Sequence, residues 1–237
     1  MTLFPNALSG PLDESMIKIA RERNLVEINI VNLRDYTHDK HRTVDDRPFG
    51  GGPGMVLKPE PLFECIEDIR GEKGRVILTT PQGRVFNQKL ARELSEEEHL
   101  IIICGSYEAV DQRVRDALVD DEVSIGDYVL TNGSLPAMVI VDCVARLVPG
   151  VLGDAESAQS ESFSEDLLDY PQYTRPEVYR EIKVPDVLLS GNHRMIAEWR
   201  NQQALKKTRE VRPDLLNKSK EIGKLTDKDR TQYEHYR

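Results

Sequence analysis

Between Pro59 and Leu147 short apolar runs alternate with segments of helical rhythm, and nothing else in the chain restricts its fold so strongly. Helical spacing covers 59–70, 88–95, 110–118 and roughly 135–147, whereas 75–80, 99–104 and 122–125 are β-rich and too short for helices. Strands separated by helices cannot close into tight hairpins. They must lie parallel, in a sheet covered on both faces. The expectation is an α/β fold. Upstream, Leu12, Met16, Ile19 and Ala20 predict a helix over 12–24, and the run Leu25 to Val31 predicts a further strand.

Arg34 to Gly54 carries six basic or histidine residues and four acids and ends in Gly50-Gly51-Gly52-Pro53-Gly54, which neither a helix nor a strand interior tolerates. It reads as a long loop. The first domain is expected to span 1–153. Residues 154–173, rich in Ser, Glu, Asp and Gln, read as a flexible linker, and 174–237 as a small helical domain broken by Arg175-Pro176 and Val184-Pro185.

In 237 residues no apolar run approaches the roughly eighteen needed to span a bilayer. No basic segment followed by a hydrophobic stretch opens the chain, so a cytoplasmic protein is expected. Cys65, Cys104 and Cys143 are odd in number and lie in apolar segments, which suits buried thiols better than disulfides or zinc. The net charge of −9 argues against nucleic acid taken alone. The local field differs, since Arg194 to Arg212 holds six Lys or Arg against Glu198 and Glu210. His38 and His41 have a spacing that metal sites use, but in a charged loop without a nearby cysteine they read as solvated, and no metal site is expected.

Three turn segments follow predicted strands: Thr80-Pro81-Gln82-Gly83, Gly105-Ser106-Tyr107-Glu108, and Gly126 to Gly133. Each glycine alone merely turns the chain. Together they are placed to converge, because an open parallel sheet binds ligands outside the carboxyl ends of its strands. No G-x-G-x-x-G opens a helix and no P-loop motif occurs, which excludes a standard dinucleotide or ATP site.

The runs His41 to Met55, Ser124 to Leu130, Leu135 to Met138, Arg146 to Gly153, Tyr173 to Pro176 and Leu188 to His193, in this order and spacing, closely resemble the bacterial tRNA (guanine-N1)-methyltransferases. The resemblance runs from Thr2 to beyond Trp199. It implies methylation of N1 of the guanine at tRNA position 37, next to the anticodon, with S-adenosylmethionine as cofactor. It also implies a SPOUT-type parallel sheet with a deep trefoil knot, an obligate homodimer with active sites at the subunit interface, and a C-terminal helical domain for tRNA. The family further suggests magnesium. A knot contradicts the general rule against threaded loops and comes from the resemblance alone.

The positions matching the family's cofactor site are Thr80, Pro81, Gln82, Gly83, Gly105, Ile125, Gly126, Asp127, Tyr128, Val129, Leu130, Gly133, Leu135 and Pro136. Ile125, Leu130 and Leu135 would also serve as ordinary core. N1 of guanine becomes a good nucleophile only as its proton leaves, so a general base is required. The family's aspartate lies in an Asp-Ser-Phe segment. The matching stretch is Glu161-Ser162-Phe163, which makes Glu161 the base. Arg146 matches the arginine that stabilises charge growing on guanine O6. Its place four residues after Asp142 would otherwise read as half of a surface ion pair. Tyr107 and Glu108 are expected to touch substrate, and Arg42, Asn192 and His193 to contact tRNA, each with a solvated role as the bland alternative.

Three departures stand out. Glu161 replaces aspartate and adds a methylene, Ser106 stands where the family usually has arginine, and Met1 directly precedes Thr2-Leu3-Phe4-Pro5, where relatives begin with a first strand. The first strand is therefore either short or missing through a late start, which would cost stability. The first two departures motivate a rival expectation, a non-catalytic SPOUT-like dimer that grips RNA.

Overall fold

The computed structural model describes residues 1–152, 162–163 and 166–216. Its contacts divide the chain into two compact units, Met1–Gly153 and Asp154–Arg237.

The first unit is built on β3 (Arg75–Val85), β4 (Leu100–Cys104) and β6 (Asp121–Ser124), which form a wholly parallel sheet in the order β4-β3-β6. Alternation along β3 sends side chains to opposite faces. Val76 and Leu78, with Ile101 and Ile103 of β4, pack against Leu62, Cys65 and Ile66 of α3 (Pro59–Ile69) and Val114 of α5 (Gln112–Leu118). Ile77, with Val123 of β6, packs against Leu90 and Leu94 of α4 (Gln88–Ser95) and Ile140 and Val144 of α6 (Ser134–Ala145). Both faces are thus covered, as the alternating pattern demands. Ile77, Leu94 and Ile140 are completely buried, each contributing about 1.5–3 kcal/mol through the hydrophobic effect.

Several expected boundaries are corrected. The helix expected over 12–24 is two helices, α1 (Asn6–Leu12) and α2 (Ser15–Glu22), interrupted at Asp13 and Glu14. Leu25 to Val31 is not a strand, because a ladder needs a partner along its length and among the described residues the pairing here is a single bridge from Thr2 to Asn32. Thr2 N donates to Val31 O at 2.9 Å and Leu33 N to Thr2 O at 3.0 Å. On the other side Met1 N donates to Ile102 O at 2.8 Å and Cys104 N to Met1 O at 3.0 Å, so these two residues hold the first-strand position beside β4. A cavity of about 750 Å³, walled by Ile28, Ile30, Leu100 and Ile102 among others, opens next to them.

The helix expected over 110–118 starts at Gln112, with the Asp111 side chain capping it through Arg113 N at 2.9 Å. Ala109–Val110 instead forms β5, parallel to β2 (Val56–Leu57), which pairs antiparallel with β1 (Asp45–Asp46) inside the long basic and acidic loop. β3 continues past Thr80. Val123 is the ladder partner of both Thr79 and Arg84, so residues 80–83 leave the ladder and return to it.

The second unit contains a hairpin of β7 (Val178–Tyr179) and β8 (Ile182–Lys183), then α7 (Asp186–Leu189) and the long α8 (His193–Val211). Thr208, Leu215 and Leu216 are buried, and Leu168 N donates to Thr208 Oγ1 at 2.8 Å. The hairpin adds a feature that the expected small helical domain did not include.

Candidate active site

The segment 80–83, where β3 departs from its ladder, and the loops that leave the carboxyl ends of β4 and β6 enclose a cavity of about 270 Å³. Their meeting point is the Thr79 hydroxyl. It donates to Ile103 O at 3.0 Å, accepts from Gly105 N at 3.3 Å and lies 3.4 Å from Gly133 O. Gly133 N in turn donates to Gly105 O at 2.6 Å. The packing is so close that a Cβ on Gly133 would overlap the Thr79 hydroxyl, which explains glycine there better than backbone freedom does.

From the first loop Thr80, Pro81 and Gln82 line the cavity. The second contributes Gly105, Ser106, Tyr107 and Glu108. The third contributes Ile125, Gly126, Tyr128, Val129, Leu130 and Gly133, and Pro136 follows on α6. Gly126 has φ +152° and lies under the Tyr128 ring, whose hydroxyl donates to Ile125 O at 3.3 Å. Tyr107 is held at φ +60°, a left-handed conformation that costs a non-glycine residue roughly 1 kcal/mol and persists only where its surroundings impose it. Gly54, at φ +76°, closes the glycine-rich loop against the Glu108 side chain, and Glu108 N donates to Met55 O at 3.0 Å.

The remaining residues singled out in the sequence lie elsewhere. Gly83 does not line the cavity, because its backbone crosses β6 so tightly that a Cβ would overlap Glu122 and Val123. Asp127 and Leu135 flank the wall without forming it. Arg146 follows the last residue of α6, about 18 Å along the helix from Ser134 at a rise near 1.5 Å per residue. Arg42 is tied to Asp35 and to the Arg34 carbonyl, the latter at 3.0 Å. Asn192 caps α8, its side chain accepting from Met195 N at 3.2 Å, and His193 is exposed at the first turn. Glu161 lies outside the described residues.

The cavity also holds residues that the motif reading passed over. Arg115 forms a two-pronged pair with Glu122 at 2.8 and 2.5 Å, and the Glu122 hydrogen bonds raise the Arg115 pKa above the usual guanidinium value. Thr79 reads in sequence as an ordinary strand end, and Ser106 only as a missing arginine. Around the mouth Tyr128, Val129 and Leu135 are exposed apolar side chains, Val129 at 83%.

A parallel sheet whose loops converge on a cavity in this way is the arrangement in which open α/β proteins bind small ligands. The family model described as "tRNA (Guanine-1)-methyltransferase TrmD" matches residues 1–218. The chain belongs to this family. A relative from Dictyoglomus turgidum is 58% identical over 92% of this chain and 89% of its own length. One from Moorella thermoacetica is 60% identical over 91% and 88%, and one from Staphylococcus epidermidis 54% identical over 100% and 96%. All three carry the name tRNA (guanine-N(1)-)-methyltransferase.

Proposed function

We propose that this chain methylates N1 of the guanine at position 37 of tRNA, as a homodimer whose SPOUT-type first unit carries the trefoil knot of its family. The reading rests above all on one observation: the three loops that hold positions matching the family's cofactor site meet at Thr79 and wall one cavity. Their backbone-rich surface, with an unpaired buried hydroxyl at Ser106, suits a polar ligand such as S-adenosylmethionine. When bound, that cofactor supplies an electrophilic methyl group. Thr80, Gln82, Gly105, Ile125, Tyr128 and Leu130 would hold it.

Glu161 takes the N1 proton of guanine, and Arg146 faces the negative charge that then grows on O6. The distance between Arg146 and the cavity of its own chain favours action at the cavity of the second subunit. Tyr128, Val129 and Leu135 would be covered by that subunit, which removes exposed apolar surface from water. In the second unit Lys206 and Lys207 stand exposed on α8, and Arg200 lies 4.8 Å from the Tyr170 ring centre. These cations would position tRNA through its phosphates, while the guanine is read by its Watson–Crick edge. Among the described residues no group of three or more His, Cys, Asp and Glu is placed to hold a metal ion.

Single-turnover transfer of labelled methyl from S-adenosylmethionine tests the reading. A tRNA transcript with guanine at 36 and 37 is expected to gain label, and one with adenine at 37 to gain none. Absence of transfer to either by folded protein that binds the cofactor would overturn it.

A further inference from the structure

The Ser106 hydroxyl is the one buried side-chain oxygen or nitrogen among the described residues that has no hydrogen-bond partner. Its residue is 6% exposed, lies between Gly105 and Tyr107 at the carboxyl end of β4, and lines the cavity wall. A buried hydroxyl without a partner is costly, and folded proteins rarely keep one without a reason. Other polar groups at this junction are engaged. The Thr79 hydroxyl joins the loops, the Ser124 hydroxyl donates to Gly126 O at 3.0 Å, and Arg115 is held by Glu122 in a two-pronged pair. Among the described residues Ser106 is the lining residue whose buried side-chain oxygen keeps its hydrogen-bonding capacity unused.

We propose that Ser106 Oγ is a ligand contact, making a direct hydrogen bond to a polar atom of bound S-adenosylmethionine. This rests on the reading that the cavity is the cofactor site. A serine there contributes a neutral, short contact that can donate or accept. It stands where the family usually has arginine, so what this position offers a ligand is a neutral hydroxyl and not a charge.

The physical argument predicts opposite effects in the two states of the protein. Without ligand the hydroxyl stabilises nothing, so Ser106→Ala is expected to leave the melting temperature of the free protein unchanged or slightly raised. With ligand the bond is lost, so calorimetric titration with S-adenosylhomocysteine is expected to show about three- to tenfold weaker binding in Ser106→Ala, in line with one hydrogen bond. A Ser106→Thr variant, which keeps the hydroxyl, is expected to stay closer to the unaltered protein than Ser106→Ala does. Equal affinity of Ser106→Ala and unaltered protein would overturn the contact while leaving the cofactor site in place. A fall of several degrees in the melting temperature of free Ser106→Ala would also overturn it, since the hydroxyl would then have a structural partner. If the unaltered protein does not bind S-adenosylhomocysteine, the cofactor reading itself falls, and the contact with it.

Discussion

Cys65 lies on the buried face of α3 with no exposed surface, and burial pushes its thiol up to about 11 from the usual 9.0. A pKa higher in the folded chain than in the unfolded one means that the native state keeps the proton over this interval. The contribution to stability is therefore complete below about pH 9 and is lost as pH rises from about 9 to about 11. Urea midpoints measured at about pH 8 and 10.5 should differ less in Cys65→Ala than in the unaltered protein, whatever the substitution costs at pH 8. The buried Cys104 thiol, also raised, retains part of the decline. An equal decline in both proteins would clear Cys65. At the same scale, two residues that the sequence nominated for RNA already have structural work: Arg42 is bound to Asp35 and to a loop carbonyl, and Asn192 caps a helix. A motif marks such a residue as needed without saying whether the need is contact or scaffold.

The loops at the sheet's carboxyl edge behave as one element because Gly133, Gly105 and Thr79 touch backbone to side chain. Gly133→Ala must push the Thr79 hydroxyl and the Gly105 amide apart, at a cost of about 1–3 kcal/mol for overpacking. The clash is confined to the N-cap of α6 and to single residues of β3 and after β4, so far-UV circular dichroism is expected to stay close to that of the unaltered protein while affinity for S-adenosylhomocysteine falls at least about tenfold, as misplacing ligand-holding groups by an ångström does. Unaltered affinity would show that the junction does not shape the cavity. The sheet itself was legible in the sequence, since the β3 run alternates between two cores and four helices cover them. What escaped was anything whose cause is not local. β5 is two residues long and exists only because β2 lies beside it. The β7–β8 hairpin turns through Arg180 and Glu181, both at positive φ, where no Asn-Gly signal announces it. Among site residues the glycines and the loop motifs were readable, whereas Thr79 and the unpaired Ser106 hydroxyl emerge only when three distant loops are brought together.

For the molecule as a whole, the proposed role of Arg146 carries a consequence for architecture. Arg146 directly follows α6 while Gly133 and Pro136 stand at the beginning of that helix, so a twelve-residue helix separates the Arg146 backbone from that wall of its own cavity. On the proposed function, the arginine that works on guanine would then come from the other subunit of a twofold dimer. Subunit mixing tests this. An Arg146→Ala chain keeps an intact cavity but lacks the cation, and a Gly133→Ala chain keeps the cation but has a spoiled cavity; each alone is expected to be nearly inactive. Random reassociation of equal amounts makes half the dimers hybrid, each with one complete site if arginine acts across the interface, so roughly a quarter of the unaltered activity should return. If Arg146 serves its own chain, no hybrid contains a complete site and the mixture stays as inactive as its parts. Recovery would therefore establish both the dimer and the crossed site at once, whereas silence from a mixture proved by mass to contain hybrids would place the arginine's action within one chain and remove the argument for a shared active site.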